Sequence, residues 1–200
     1  MSESPAPLRL DQAAEPHYLR LLDLICRLAY QERAVKLASG RESNFYVDCR
    51  QVVLSAEGHF LTGWLLDYAI QQHCPEVLAV GGMSVGADPL VSATSLTSYL
   101  AGRPLDGFYV RKQPKAHGLG RRVEGADHLR EGSPVAIVED VVTSGGSALD
   151  AAAQARAAGF RPVRLFSLVD RQEGGREAIE AELPLTALYT AEQIIGRSRA

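Results

Sequence analysis

The stretch VAIVEDVVTSGGSALD, Val135 to Asp150, decides how the rest of the chain is read. It opens with an apolar run of strand length and ends that run on two adjacent carboxylates, Glu139 and Asp140. Small and hydroxylated residues follow, from Thr143 through Ser144, Gly145 and Gly146 to Ser147, and lead into an alanine-rich segment. Carboxylates at the end of a buried strand are costly unless they hold a cation or a substrate. A small-residue loop entering a helix lets backbone N–H groups meet an anion. Together they suggest a site for a ligand with both hydroxyls and phosphate. The plainer reading makes Ser144 or Ser147 a helix N-cap, but capping gives the paired acids no purpose.

On both sides of this stretch, strands and helices alternate. EVLAVGG (Glu76–Gly82), DGFYVR (Asp106–Arg111), PVAIVED (Pro134–Asp140), RPVRLFSLVDR (Arg161–Arg171) and LTALYT (Leu185–Thr190) read as strands. GADPLVSATSLTSYLAG suits a helix entered near Asp88 and Pro89, and SALDAAAQARAAG one ended by Gly159. Upstream, Tyr18, Leu21, Leu22, Ile25, Leu28 and Ala29 recur at helical spacing, as do Phe60, Leu61, Trp64, Leu65, Tyr68 and Ala69. Between those helices, AVKLASGRESNFYVDCR predicts a hairpin with its turn at SGRES. The pattern predicts an α/β fold with a doubly wound, mainly parallel sheet and flanking helices. A small helix-and-hairpin hood over residues 17–55 and a loose polar lead-in over 1–16 complete a single domain spanning 1–200. In such sheets ligands bind beyond the carboxyl ends of the strands. Gly81-Gly82, Arg111, Glu139-Asp140 and Asp170-Arg171 all fall at such ends.

Composition narrows the function classes. The 200 residues are 46% hydrophobic and 22% charged, ordinary for a globular protein with a real core. A formal net charge of −3 argues against a nucleic-acid partner, so any basic function is local. No apolar run approaches the ~18 residues of a membrane span, and the N-terminal stretch does not read as a signal peptide. The 3 cysteines form no close pair, which fits a reducing cytoplasm, and the 5 histidines form no zinc pattern. The strongest local bias is RKQPKAHGLGRRVEG, Arg111 to Gly125, with five Lys/Arg, one His and no acid before Glu124. It reads as a structureless loop between two strands, and a basic insert of this length in a compact domain is often a lid.

These residues resemble a known family. The run of apolar residues, two acids, two apolar residues and TSGGS is similar to the phosphoribosyl pyrophosphate motif of type I phosphoribosyltransferases. The resemblance implies that Glu139 and Asp140 face the ribose hydroxyls and that Thr143 to Ser147 wrap the 5′-phosphate. RKQPKAHG resembles the mobile loop of orotate phosphoribosyltransferases through Arg111, Lys112, Lys115, His117 and Gly118, cations suited to departing pyrophosphate. SLVDRQEGG resembles that family's orotate-side segment and implies that Arg171 meets the substrate carboxylate, for which a planar guanidinium is well shaped. SGRESNFYVDCR resembles its base-covering hairpin, placing Tyr46 near the pyrimidine ring. Ala38 and Val85 stand where the family's best-known enterobacterial form has lysines, and Lys36 is the candidate to replace the first.

The resemblance implies transfer of a phosphoribosyl group to orotate, with Asp140, Lys115 and His117 at the reacting centre. It also implies Mg²⁺ held through substrate oxygens and water rather than by protein side chains, a cytoplasmic enzyme, and a homodimer sharing the basic loop across its interface. Two alternatives keep the fold: a phosphoribosyltransferase for another base, and a regulator that senses phosphoribosyl pyrophosphate.

Overall fold

In the computed structural model, which describes residues 8–36, 42–113 and 122–199, the alternation becomes a six-stranded sheet flanked by helices. Helix α1 (Ala14–Leu24) runs into a π-helical turn at Ile25–Ala29 and then β1 (Tyr30–Lys36), which pairs antiparallel with β2 (Glu42–Val47). Next come α2 (Arg50–Val53), α3 (Ala56–His73), β3 (Ala79–Met83), α4 (Asp88–Leu100), β4 (Asp106–Val110) and β5 (Val123–Glu124). The chain ends with β6 (Pro134–Val142), α5 (Gly146–Ala157), β7 (Arg161–Asp170), α6 (Gly175–Glu180), β8 (Leu185–Thr190) and α7 (Ala191–Ser198).

The large sheet has the order β5-β4-β3-β6-β7-β8 and is parallel throughout except at β5. Strand alternation sorts its side chains into two cores. Ala136 and Val138 of β6 pack with Leu65, Ile70 and Leu90 of α3 and α4, while Val135 and Ile137 join Ala148, Ala151 and Ala155 of α5. The alanine-rich face of α5 lets that helix lie close on the sheet. Because β4 and β6 flank β3 on opposite sides, strand order reverses there. The switch point opens beyond Met83 and Val142, where an open α/β sheet offers its ligand crevice.

Two expectations are corrected. The lead-in is not loose as far as residue 16: the Asp11 carboxylate accepts from the Ala13 and Ala14 N–H groups and starts α1, and Tyr68 and Gln72 donate to the Arg9 carbonyl. The first helix therefore begins four residues before Tyr18, and regular α geometry stops at Leu24. The second correction concerns the basic insert, which returns as β5 and pairs antiparallel with β4, so its stem is an edge hairpin rather than a bare loop.

Alpha1 is fixed to α3 by an aromatic stack. His17 lies on Trp64 at 4.5 Å and 15°, and Trp64 on Tyr68 at 5.3 Å and 12°.

Candidate active site

The carboxyl end of β6 places the two acids on opposite sides of the strand. Glu139 follows the Ile137 side and is 6% exposed. Its Oε2 has no hydrogen-bond partner among the described residues. Burial pushes its carboxyl well above the usual range, the Asp140 charge adds to this, and the Lys112 charge acts the other way. Asp140 turns to the α3/α4 side, half-buried, with Oδ1 accepting from the Val141 N–H at 2.9 Å. The loop after β3 closes on it so tightly that a Cβ on Gly86 would lie 3.0 Å from Asp140 Oδ1. Only glycine leaves that carboxylate its place.

The loop from Thr143 to Ser147 is a backbone site. Gly145 sits at φ +81°, which a side chain would strain, and a Cβ there would meet the Gly175 carbonyl at 3.0 Å. No side chain caps α5, so neither Ser144 nor Ser147 serves as the N-cap. The first-turn N–H groups of a helix have no intrahelical acceptors, and with the helix dipole they form an anion seat. Ser144, Gly146 and Ser147 are exposed and Thr143 half-buried, so the seat faces solvent.

Opposite lies the loop after β3. Ser84 N–H donates to the Val110 carbonyl and Ser84 Oγ to Asp88 Oδ1 at 2.8 Å, which fixes the entry of α4. The Ser84–Val85 peptide is cis, and Val85 is exposed. On the next strand, Arg111 pairs with Glu124 at 2.8 Å. Arg122 donates to the Arg111 carbonyl and clasps Asp150 of α5 at 2.6 Å, so the hairpin stem is tied to the helix that opens the anion seat. Lys115 and His117 lie outside the described residues, as do Ala38 and Gly118. Only the backbone of Lys36 is described.

At the end of β7 the site is made of side chains. Arg171 is 5% exposed, with its guanidinium over the Phe45 ring at 4.6 Å. It donates to the Phe45 carbonyl at 3.1 Å and pairs with Glu173 at 3.0 Å. Beneath it, Asp170 accepts from the Gln172 N–H and pairs with Arg176. The ring beside Arg171 is therefore Phe45, not Tyr46. Successive strand residues face opposite ways, and Tyr46 lies under the Arg33 guanidinium at 4.8 Å. Hairpin sequence alone gives the alternation but not which face meets the sheet.

No family model matches the chain. A Sorangium cellulosum orotate phosphoribosyltransferase is 50% identical over 177 residues, covering 88% of this chain and 92% of its own. The chain belongs to the orotate phosphoribosyltransferase family. An orotate phosphoribosyltransferase of Aquifex aeolicus is 41% identical over 165 residues, 82% of this chain and 88% of its own. Among solved structures, the Mycobacterium tuberculosis orotate phosphoribosyltransferase superimposes with a TM-score of 0.76 at 36% identity, covering 90% of this chain and 99% of its own. The M. tuberculosis enzyme in complex with 5-phospho-α-D-ribosyl 1-diphosphate gives 0.72 at 33% identity. An adenine phosphoribosyltransferase of Saccharomyces cerevisiae, 15% identical with a TM-score of 0.66, shares the fold alone. The reaction of this orotate phosphoribosyltransferase joins orotate to the phosphoribosyl group of phosphoribosyl pyrophosphate, releasing pyrophosphate. Neither the purine-base alternative nor the regulator gains support.

Proposed function

We propose that this transfer takes place in the crevice between the ends of β3 and β6, with each part of the substrates assigned by chemistry. The observation that carries the assignment is the uncapped N-terminus of α5 beside two adjacent acids. The 5′-phosphate sits on Thr143 to Ser147, held by backbone N–H groups and hydroxyls. Asp140 accepts from the ribose diol. Glu139, whose carboxyl is pushed upward by burial, serves the ribose beside it. The backbone from Gly82 to Gly86 and the cations Arg111, Lys112, Lys115 and His117 serve the pyrophosphate. Arg171 orients the orotate carboxylate, and Phe45 offers the ring face first expected of Tyr46.

No protein nucleophile is needed. The reacting carbon passes through an oxocarbenium-like state, as in other glycosyl transfers, and the chain contributes positioning and preorganised charge. Among the described residues no group of three or more His, Cys, Asp or Glu side chains could hold a metal ion. That donor set fits a cation carried in by substrate oxygens, with Asp140 the protein carboxylate beside it. Bound Mg²⁺ would supply charge neutralisation on the leaving pyrophosphate. The enzyme is further proposed to be cytoplasmic and a C₂ homodimer that shares its basic loop between subunits.

Gly146 gives a clean test of the phosphate seat. A Cβ there meets only Ser144 Oγ, at 3.8 Å, so Gly146→Ala adds its methyl without a clash in the fold and into the space proposed for the phosphate. Orotate consumption followed by absorbance, with phosphoribosyl pyrophosphate and Mg²⁺ varied, should show a sharply raised KM for phosphoribosyl pyrophosphate. An unchanged KM places the phosphate elsewhere. The shared loop is tested by mixing inactive Lys115→Ala and Asp140→Asn subunits. Activity should return to at most about a quarter of wild type, since random pairing makes half the dimers mixed. An exchanged mixture that stays inactive shows each chain closing its own site.

A further inference from the structure

Glu173 has no part in the assignment above, yet its carboxylate lies where a substrate carboxylate would have to go. It pairs with Arg171 at 3.0 Å, the side chains being 4% and 17% exposed, so the pair is shielded from water. The backbone is bent to bring it there. Gln172 takes φ +58° and Gly174 φ +95°, so left-handed residues on both sides fold Glu173 back onto the residue two before it. A left-handed non-glycine residue is strained, and such outliers persist where the surroundings hold them. Here the Gln172 N–H donates to Asp170 Oδ1, and its Oε1 accepts from the Glu192 N–H. Gln172 is thus held through both its backbone and its side chain.

We infer that Glu173 is a positioning residue that occupies Arg171 as an internal stand-in for the orotate carboxylate and must be displaced when the substrate binds. The inference rests on the proposed role of Arg171. In the ligand-free enzyme Glu173 joins the Phe45 carbonyl and ring in holding the guanidinium, so the base end is preformed. A base with a carboxylate replaces one anion by another. A neutral base offers no carboxylate in exchange for that of Glu173, a difference of the kind that gives strong discrimination between ligands. The competition lowers affinity for orotate, because only the fraction of molecules with Arg171 released is competent to bind.

The experiment uses the full-length chain with Glu173→Gln and Glu173→Ala, each checked for an unchanged melting temperature. Removing the competitor should lower the KM for orotate about tenfold and leave the KM for phosphoribosyl pyrophosphate unchanged. Calorimetric titration with orotidine 5′-monophosphate, which carries the same carboxylate, should show a parallel gain. Weaker or unaltered orotate affinity in both variants overturns the inference and makes Glu173 an ordinary structural partner. Arg171→Ala separates the two levels. If it keeps orotate affinity, the carboxylate assignment fails and the inference with it. If it loses orotate while the Glu173 variants gain nothing, only the inference fails.

Discussion

After β6 the chain prepares to meet its ligand with backbone: a left-handed glycine, an uncapped helix and exposed small residues. After β7 it does so with side chains already engaged, Arg171 buried between Phe45 and Glu173. The first end is open and the second is satisfied. On the proposed assignment, the difference follows from what each end recognises. Phosphate is bound well by fixed N–H dipoles that need no rearrangement, whereas a buried guanidinium left unpaired would be costly in the empty enzyme. The two ends nevertheless touch, because Gly145 packs against the Gly175 carbonyl.

The largest expected effect probes the engaged end. Arg171→Ala should cost about 2–5 kcal/mol in orotate binding and change the KM for phosphoribosyl pyrophosphate little; equal damage to both substrates would erase the distinction between the ends. Asp140→Asn, at the proposed reacting centre, should lower kcat about a hundredfold through misplacement of the ribose, in single-turnover measurements with both substrates saturating. Gly145→Ala sharpens the picture of the open end. Left-handed strain of about 1–2 kcal/mol should appear in chemical denaturation, together with a raised KM for phosphoribosyl pyrophosphate.

Glu139→Gln should do less to turnover than Asp140→Asn, since Glu139 lies one residue back and faces the other side of the strand. Its signature is in pH. A carboxyl with a raised folded-state pKa binds its proton more tightly in the native protein, so wild type loses stability as pH rises above the ordinary value of 4.5. The variant should therefore melt at or above wild type at pH 8, with the gap closing toward pH 4; a gap that widens on acidification would contradict an upward shift at Glu139. The smallest effect is expected at the hairpin stem. Arg122 holds the Asp150 carboxyl below its usual range, but Asp150 is 42% exposed, so Asp150→Asn should cost less than about 1 kcal/mol. That loss belongs above the carboxylate's unfolded pKa and fades as pH falls.

Legibility in the sequence followed signal strength. The strand through Glu139-Asp140, the glycine loop and α4 at Asp88-Pro89 each carry a strong local signature, and the structure has all three. Strand β5 has only two residues in a basic stretch without apolar alternation, too little for periodicity to register. Helix α7 was findable, since Thr190 and Gln193 form a capping box with the required spacing. That Phe45 rather than Tyr46 lies at Arg171 turned on which hairpin face meets the sheet, a tertiary fact. The pairing of Glu173 with Arg171 depends on a left-handed glutamine, which no composition rule anticipates.

The stack of His17, Trp64 and Tyr68 has an experimental consequence. Trp64 is the chain's only tryptophan, and it lies in the seam between α1 and α3. Its emission therefore watches the detachment of the N-terminal helix. Unfolding followed at that one fluorophore and by far-ultraviolet dichroism gives two views of the same chain, and any offset between the curves measures how independently the hood lets go of the sheet.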